Sequence, residues 1–303
     1  MLCSRRTLLP AVCTILLTVF LVGPGVSPAA DKALDTAVIE QLTGTKGEFN
    51  EQEGVLTVRA PRTDLDVRVA GVPLTPPQGL TSWAAFHQAG DHTMVMGDMV
   101  LLEDQINPVM SLALENGLTV TALHNHFVWD APKVMFMHIG GMGDATTLAG
   151  AVGKVFATIK DTSGGKGAVP RADIRPAQTS LNLKIIEDTL GVKGQLASGV
   201  YRVTIGRTTQ MDGQTIGNAM GVNTWAAFAG SNDQAIVDGD FAMLEPELQP
   251  VLKALRGAGI NVVAIHNHMT MEAPRMVFLH YWGVGPTQEL ATGLKAALDT
   301  QQR

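Results

Sequence analysis

Two short strings carry the chemistry of this sequence. One is His124-Asn125-His126 followed by His138; the other, 142 positions later, is His266-Asn267-His268 followed by His280. In an extended chain, residues two apart point to the same side, so His124 and His126 share a face while Asn125 points away. If the chain folds back antiparallel through residues 128–132 with an odd-length loop, His138 comes opposite on that face; an even loop puts it on the other side. In the first register three imidazoles meet, an arrangement suited to zinc, copper or another borderline divalent metal. A lone histidine in a strand is more often a hydrogen-bonded structural residue. The duplicated set of three shifts the reading, and His124, His126, His138, His266, His268 and His280 are the candidate metal ligands. Neighbouring acids complete or tune such a site: Asp98, Glu103 and Asp130 are the candidate general bases, with Glu103 also placed to favour a helix dipole. His87 and His92 belong to the first copy alone and are candidate extra ligands or proton carriers.

The elements that must hold these residues are duplicated with them. Trp83-Ala84-Ala85-Phe86 returns as Trp225-Ala226-Ala227-Phe228, Gly97-Asp98 as Gly239-Asp240, Pro108-Val109 as Pro250-Val251, and Ala131-Pro132 as Ala273-Pro274. Upstream, Leu42-Thr43-Gly44-Thr45-Lys46-Gly47 resembles Thr189-Leu190-Gly191-Val192-Lys193-Gly194. A match of this length is a whole repeated domain. The organisation expected is a leader at 1–29, a first repeat domain at 32–160, a Gly-rich linker at 161–180 and a second repeat domain at 181–303.

Within a copy, residues 55–58 and 67–72 read as an opening hairpin, and residues 83–86 and 94–102 as strands. Residues 103–116 read as a helix, because Ile106, Val109, Met110, Ala113 and Leu114 recur at spacings of three and four, with Gly117 as its stop. Strands at 118–127 and 134–138 and a helix at 144–159 follow, and the glycines of 140–143 make the strand-to-helix turn between them. The fold class predicted is α+β: a tandem duplication of a β-rich domain with a β-α-β-β-α core. Helices pack on a mostly antiparallel sheet, and the halves are related by a pseudo-two-fold axis.

Residues 1–29 have the order of an export signal: Arg5 and Arg6, an apolar run at 8–22, then Ser27-Pro28-Ala29. The run is too short for a stable membrane span. Ser4-Arg5-Arg6-Thr7-Leu8-Leu9 also matches a twin-arginine signal, so the route is Sec or twin-arginine and the destination periplasmic or secreted. Both cysteines, Cys3 and Cys13, fall in this leader, leaving no thiolate ligand beyond it. Of the 22 basic residues 20 lie beyond the leader against 28 acidic ones, a net charge of −8 that disfavours a nucleic-acid partner. The 14 methionines are scattered through apolar strands, which reads as core packing rather than copper handling.

The segments Ala122-Leu123-His124-Asn125-His126 with Ala131-Pro132-Lys133-Val134-Met135-Phe136-Met137-His138, and their counterparts ending in His280-Tyr281-Trp282-Gly283, resemble the LppY/LpqO family. The resemblance implies an exported bacterial protein built on a repeated domain of unknown function. It implies no activity, and no cysteine suits a lipid anchor at the cleavage site. His-x-His followed by an acid also resembles half of a cupin motif, but the third histidine arrives too early for the other half. The leading expectation is an exported metal-binding protein, its partners the metal ion and a small-molecule ligand. The alternative is a metal-dependent hydrolase in which three histidines leave room for an activated water and Asp98, Glu103 or Asp130 is the base. A third reading is an envelope ligand-binding protein with structural histidines. The first cluster is expected to be the more accessible, Tyr281 and Trp282 closing the second.

Overall fold

The computed structural model describes residues 33–163 and 169–302. The expected leader, and residues 164–168 of the expected linker, lie outside these. The first repeat contains α1 (Thr36–Thr43), β1 (Gly47–Asn50), β2 (Val55–Pro61), β3 (Arg68–Val69), β4 (Val72–Pro73), β5 (Thr81–Ala89), β6 (His92–Leu102), α2 (Ile106–Glu115), β7 (Thr119–His124), β8 (Asp130–Ala131), β9 (Val134–Gly143) and α3 (Ala145–Asp161). The second contains α4 (Leu183–Leu190), β10 (Gln195–Ala197), β11 (Val200–Gly206), β12 (Thr209–Met211), β13 (Gln214–Ile216), β14 (Asn223–Gly230), β15 (Ala235–Leu244), α5 (Leu248–Gly257), β16 (Asn261–His266), β17 (Met276–Gly285) and α6 (Thr287–Asp299).

The two copies share one mostly antiparallel α+β layer structure. A single 12-stranded sheet runs β1-β2-β5-β6-β9-β7-β16-β17-β15-β14-β11-β10, so matched strands appear in the same order from either end. In β5, Ser82, Ala84 and Phe86 are buried while Trp83, Ala85 and His87 point to the other face, the period of two that a half-buried strand requires. The helices lie along one face. Ile39 of α1, Val109 of α2, Val152 of α3, Ile186 of α4, Val251 of α5 and Leu294 of α6 all belong to one continuous core. None of the described helices is long and apolar enough to cross a membrane. On the opposite face, two small apolar clusters lie under loops, around Phe136 in the first copy and Phe278 in the second.

The copies join at equivalent strands. Leu123 of β7 pairs with Ile265 of β16, and that single residue pair is the register of the seam. Each seam strand also has a register shift against its outer neighbour, between Val120 and Ala122 and between Val262 and Ala264. Where the seam strands part, side-chain amides of the opposite copy take over. Gln249 accepts from the Val120 N–H (3.0 Å) and donates to its carbonyl (2.8 Å). Asn107, the matched position, accepts from the Val262 N–H (2.8 Å) and donates to its carbonyl (3.3 Å). Arg256 adds a third bridge, donating to Ser111 Oγ at 3.1 Å.

Several elements depart from the sequence expectation. Residues 67–72 do not pair with β2, which lies between β1 and β5. They form β3 and β4 of a small three-stranded sheet with β8, because buried Val67 closes the apolar cluster around Phe136. Helices α1 and α4 are additional. The glycines of 140–143 do not turn the chain; they extend β9. A Cβ on Gly141 would stand 2.9 Å from Leu148 Cδ2, so the missing side chain is what admits α3 to the sheet.

Gln249→Ala removes both partners of the Val120 peptide edge. Leaving those groups unpaired costs about 1–3 kcal/mol, and Asn107→Ala with Gln249→Ala costs more than either alone. Denaturant unfolding measures it; a loss under about 0.5 kcal/mol for the double variant would mean that water replaces the clamp.

Candidate metal centre

The histidine strings sit on the sheet face away from the helices. His138 pairs with Asp98 across β6 and β9 and with Ala122 across β7 and β9, while His124 pairs with Phe136. These pairings place His124, His138 and Asp98 on one side, the register in which the imidazoles meet. The second copy repeats it, with His280 opposite Asp240 and Ala264, and His266 opposite Phe278. The middle histidine of each string lies past the strand end. Its ring is held by an aromatic floor: His126 stacks on Phe136 with centroids 3.3 Å apart, and His268 on Phe278 at 3.7 Å. Within the first copy, His124 lies 5.1 Å from both His126 and His138, ring centre to ring centre. Within the second, His266 lies 5.1 Å from His268 and 4.6 Å from His280.

A buried carboxylate lies beneath each group. In the second copy Asp240 Oδ2 is 3.0 Å from His268 Nε2 and 3.9 Å from His266 Nε2. Donor atoms of Asp240, His266 and His268 all fall within 4.8 Å of one another. Asp240 is only 2% exposed, and among the described residues its Oδ1 has no hydrogen-bond partner; nor has the buried Nδ1 of His266. The Nδ1 atoms of His268 and His280 face the carbonyls of Gly221 and Gly239, each at 3.2 Å. An Nδ1–H donated to a carbonyl turns the Nε2 lone pair toward the cluster, the arrangement that orients metal-binding histidines. In the first copy Asp98 Oδ2 is 3.9 Å from His126 Nε2, and Asp98 Oδ1 is likewise buried without a partner. That cluster is looser and opens on a groove of about 720 Å³ whose lining includes Arg59, Thr81, Trp83, Asp98 and His126.

Burial pushes the imidazoles of His124, His126 and His266 below the ordinary histidine value. The histidines around His124 and His266 add to the shift, while Asp98 and Asp240 oppose it. These three rings are therefore biased toward the neutral, ligating form.

Other candidates fall elsewhere. Glu103 is exposed in the turn after β6, five residues beyond Asp98, and joins neither cluster. Asp130 is held by the turn it closes, accepting from the Val134 N–H (2.8 Å) and from Lys133 Nζ (2.5 Å). These partners occupy it as a structural residue, so neither acid stands where a general base would. His87 and His92 share the histidine face but lie exposed near the far ends of β5 and β6. Tyr281 does not close the second cluster. It lies on the helix side of β17, fully buried, and donates to the Trp225 carbonyl at 2.9 Å. The second cluster is in fact the more convergent. Phe136 and Phe278 are the residues that sequence reasoning passed over as site components; the recurrence of a phenylalanine two residues before His138 and His280 was the available signal.

The signature of the family described as Domain of Unknown Function (DUF1259) matches residues 37–158 and again residues 184–300. No curated protein matches the chain. Among solved structures, the chain is similar to the crystal structure of a trimeric bacterial microcompartment shell protein, PduB, at 12% identity over 84% of this chain and 89% of that one. Its TM-score is 0.20, too low to carry an argument.

In metal-free protein the imidazoles of His124, His126 and His266 titrate below about 6.5. A depressed folded value means that stability is full above the ordinary value and is lost as pH falls through it. Imidazole NMR titration reads the midpoints, and values at or above the ordinary one for all three would show that burial does not govern these rings.

Proposed function

The chain belongs to the family described as Domain of Unknown Function (DUF1259), and we propose that it binds a divalent metal ion through Asp240, His266 and His268, with His280 as a further imidazole. One ring carries the reading. His268 faces an acceptor oxygen at each nitrogen, Gly221 O at 3.2 Å and Asp240 Oδ2 at 3.0 Å. A neutral imidazole has one N–H, so in that form one of the two contacts sets lone pair against lone pair, and only a proton or a metal ion on the second nitrogen removes the conflict. A cation at Nε2 resolves it and also supplies a partner for the carboxylate. Among the described residues, Asp240 has no Lys or Arg ion pair; the side chains within ion-pair distance of its carboxylate are the imidazoles of His266 and His268.

Imidazole nitrogens with one carboxylate oxygen, and no thiolate, suit zinc or copper(II). His124, His126 and His138 with Asp98 form the matched, looser site. Binding is favoured over hydrolysis by the placement of the acids: Asp98 and Asp240 stand among the ligands, while Glu103 and Asp130 stand apart from them. The palindromic strand order and the Leu123–Ile265 pair support a pseudo-two-fold relation between the halves. The leader at 1–29 and the resemblance to the LppY/LpqO family support an exported, periplasmic setting.

Metal analysis of tag-free protein tests this. His268→Ala and Asp240→Asn each weaken zinc or copper(II) binding by at least about tenfold, the lower scale for disturbing even the supporting groups of a metal site. His126→Ala affects only the weaker equivalent. Unchanged metal content in His268→Ala, in protein that retains its unfolding transition, would overturn the proposal.

A further inference from the structure

The first copy carries a second set of candidate ligands that the histidine clusters do not use. Met94 pairs with His87 across β5 and β6, and with Met142 across β6 and β9. Directly opposed residues of an antiparallel pair hold their Cβ atoms about 4.5–5.5 Å apart. His87, Met94 and Met142 therefore form a row across three neighbouring strands. Met96, two residues from Met94, borders the row on the same side. This is the sheet face away from the helices, since the intervening Val95 is in the helix-side core and Gly141 meets Leu148 of α3.

Exposure separates Met96 and Met142 from the methionines of the core. Met96 and Met142 are 60% and 61% exposed, whereas Met99, Met110 and Met137 are fully buried. Gap-filling in a core explains the buried ones; it does not explain thioethers held out on a strand surface. The repeat supplies an internal control. In the same register the second copy has Ala229 opposite Ile236 and Ile236 opposite Val284, with Asp238 in place of Met96. The fold therefore does not require sulfur there. His87 completes the set: its Nδ1 faces the Gly54 carbonyl at 3.3 Å, so an Nδ1–H donated there leaves the Nε2 lone pair free.

We propose that Met94, Met96, Met142 and His87 form a binding site for a soft monovalent cation, copper(I). Thioether sulfur is neutral and polarisable and selects copper(I) over zinc, whereas the imidazole and carboxylate set of the second copy suits a divalent ion. Sequence reading placed the methionines in the core because only the strand register shows which of them share a surface. The site does not rest on the zinc reading, because it uses none of the ligands proposed above.

The test is anaerobic copper(I) titration against a chromophoric chelator, with silver(I) as a redox-inert probe for NMR of methyl-labelled methionine. Met94→Ile with Met142→Val installs the residues of the second copy, which the same sheet already accommodates. The expected result is loss of one copper(I) equivalent with zinc content unchanged, and silver-dependent shifts of the Met94, Met96 and Met142 methyls but not of Met99 or Met137. An undiminished copper(I) stoichiometry in the variant, or stationary Met94, Met96 and Met142 signals in the parent protein, would overturn it. If the parent protein binds no zinc, the divalent reading fails while the copper(I) comparison still reads, since His266, His268 and Asp240 are untouched.

Discussion

The molecule depends on closing an edge strand against the same strand of its own second copy. A single repeat would end its sheet at β7, exposing a row of unpaired N–H and C=O groups of the kind that templates aggregation. Pairing β7 with β16 covers that edge, although the ladder between them consists of one residue pair, Leu123 with Ile265, and each seam strand has a register shift against its outer neighbour. Beside that pair the peptides of Val120 and Val262 are part-buried, where unpaired groups are costly. Gln249 and Asn107 satisfy these two peptides, each reaching across from the other half. The seam thus fixes more than stability. His124 and His266 stand one residue beyond the paired Leu123 and Ile265, so both clusters open on the same face of one sheet, opposite the helices.

The clusters themselves are places where the fold accepts an electrostatic cost. An ionised carboxylate out of water must be paired or must coordinate a metal. Arg207 does pair with buried Glu247, and Lys133 with buried Asp130, so the fold has ordinary means of compensating an acid. At Asp240 it uses neither. The charged partner is left to whatever His266 and His268 carry, while burial disfavours the proton on His266. A local rule broken in this way, beside elements that keep it, is the pattern of a functional position.

Much of this was legible in the residues. The constant offset between copies exposed the duplication, and the spacing of Ile106, Val109, Met110, Ala113 and Leu114 gave the buried face of α2. The three-histidine sets were legible too, because a period of two is local information. What was not legible is pairing at long range. Nothing in Leu123 or Ile265 marks them as partners, and the amide clamp joins residues whose polar side chains look like ordinary helix surface. The Gly141 misreading has the same origin: a glycine that admits a helix to a sheet looks, in sequence, like one that makes a turn. Tyr281 was a different failure. Strand alternation from His280 already places it on the opposite face, so its bulk packs into the helix-side core rather than over the cluster.

The two copies share this frame and have diverged in what surrounds it. In the second, the guanidinium of Arg202 lies 4.2 Å over the ring of Trp225, capping the indole beside Asp240. In the first, Trp83 remains part of the open groove that reaches Asp98 and His126. The second copy also has the shorter carboxylate–imidazole contact, 3.0 Å against 3.9 Å. Convergent donor side chains and a capped aromatic go together, as do a looser set of side chains and an open approach. A closed set of donors holds an ion firmly, whereas an accessible, incompletely converged set leaves room for exchange or for a ligand. Because both copies hang from one seam, that divergence could proceed on one side without disturbing the strand register on the other. Duplication with a shared core thus lets the paired clusters differ in how closely their side chains converge while remaining on one surface.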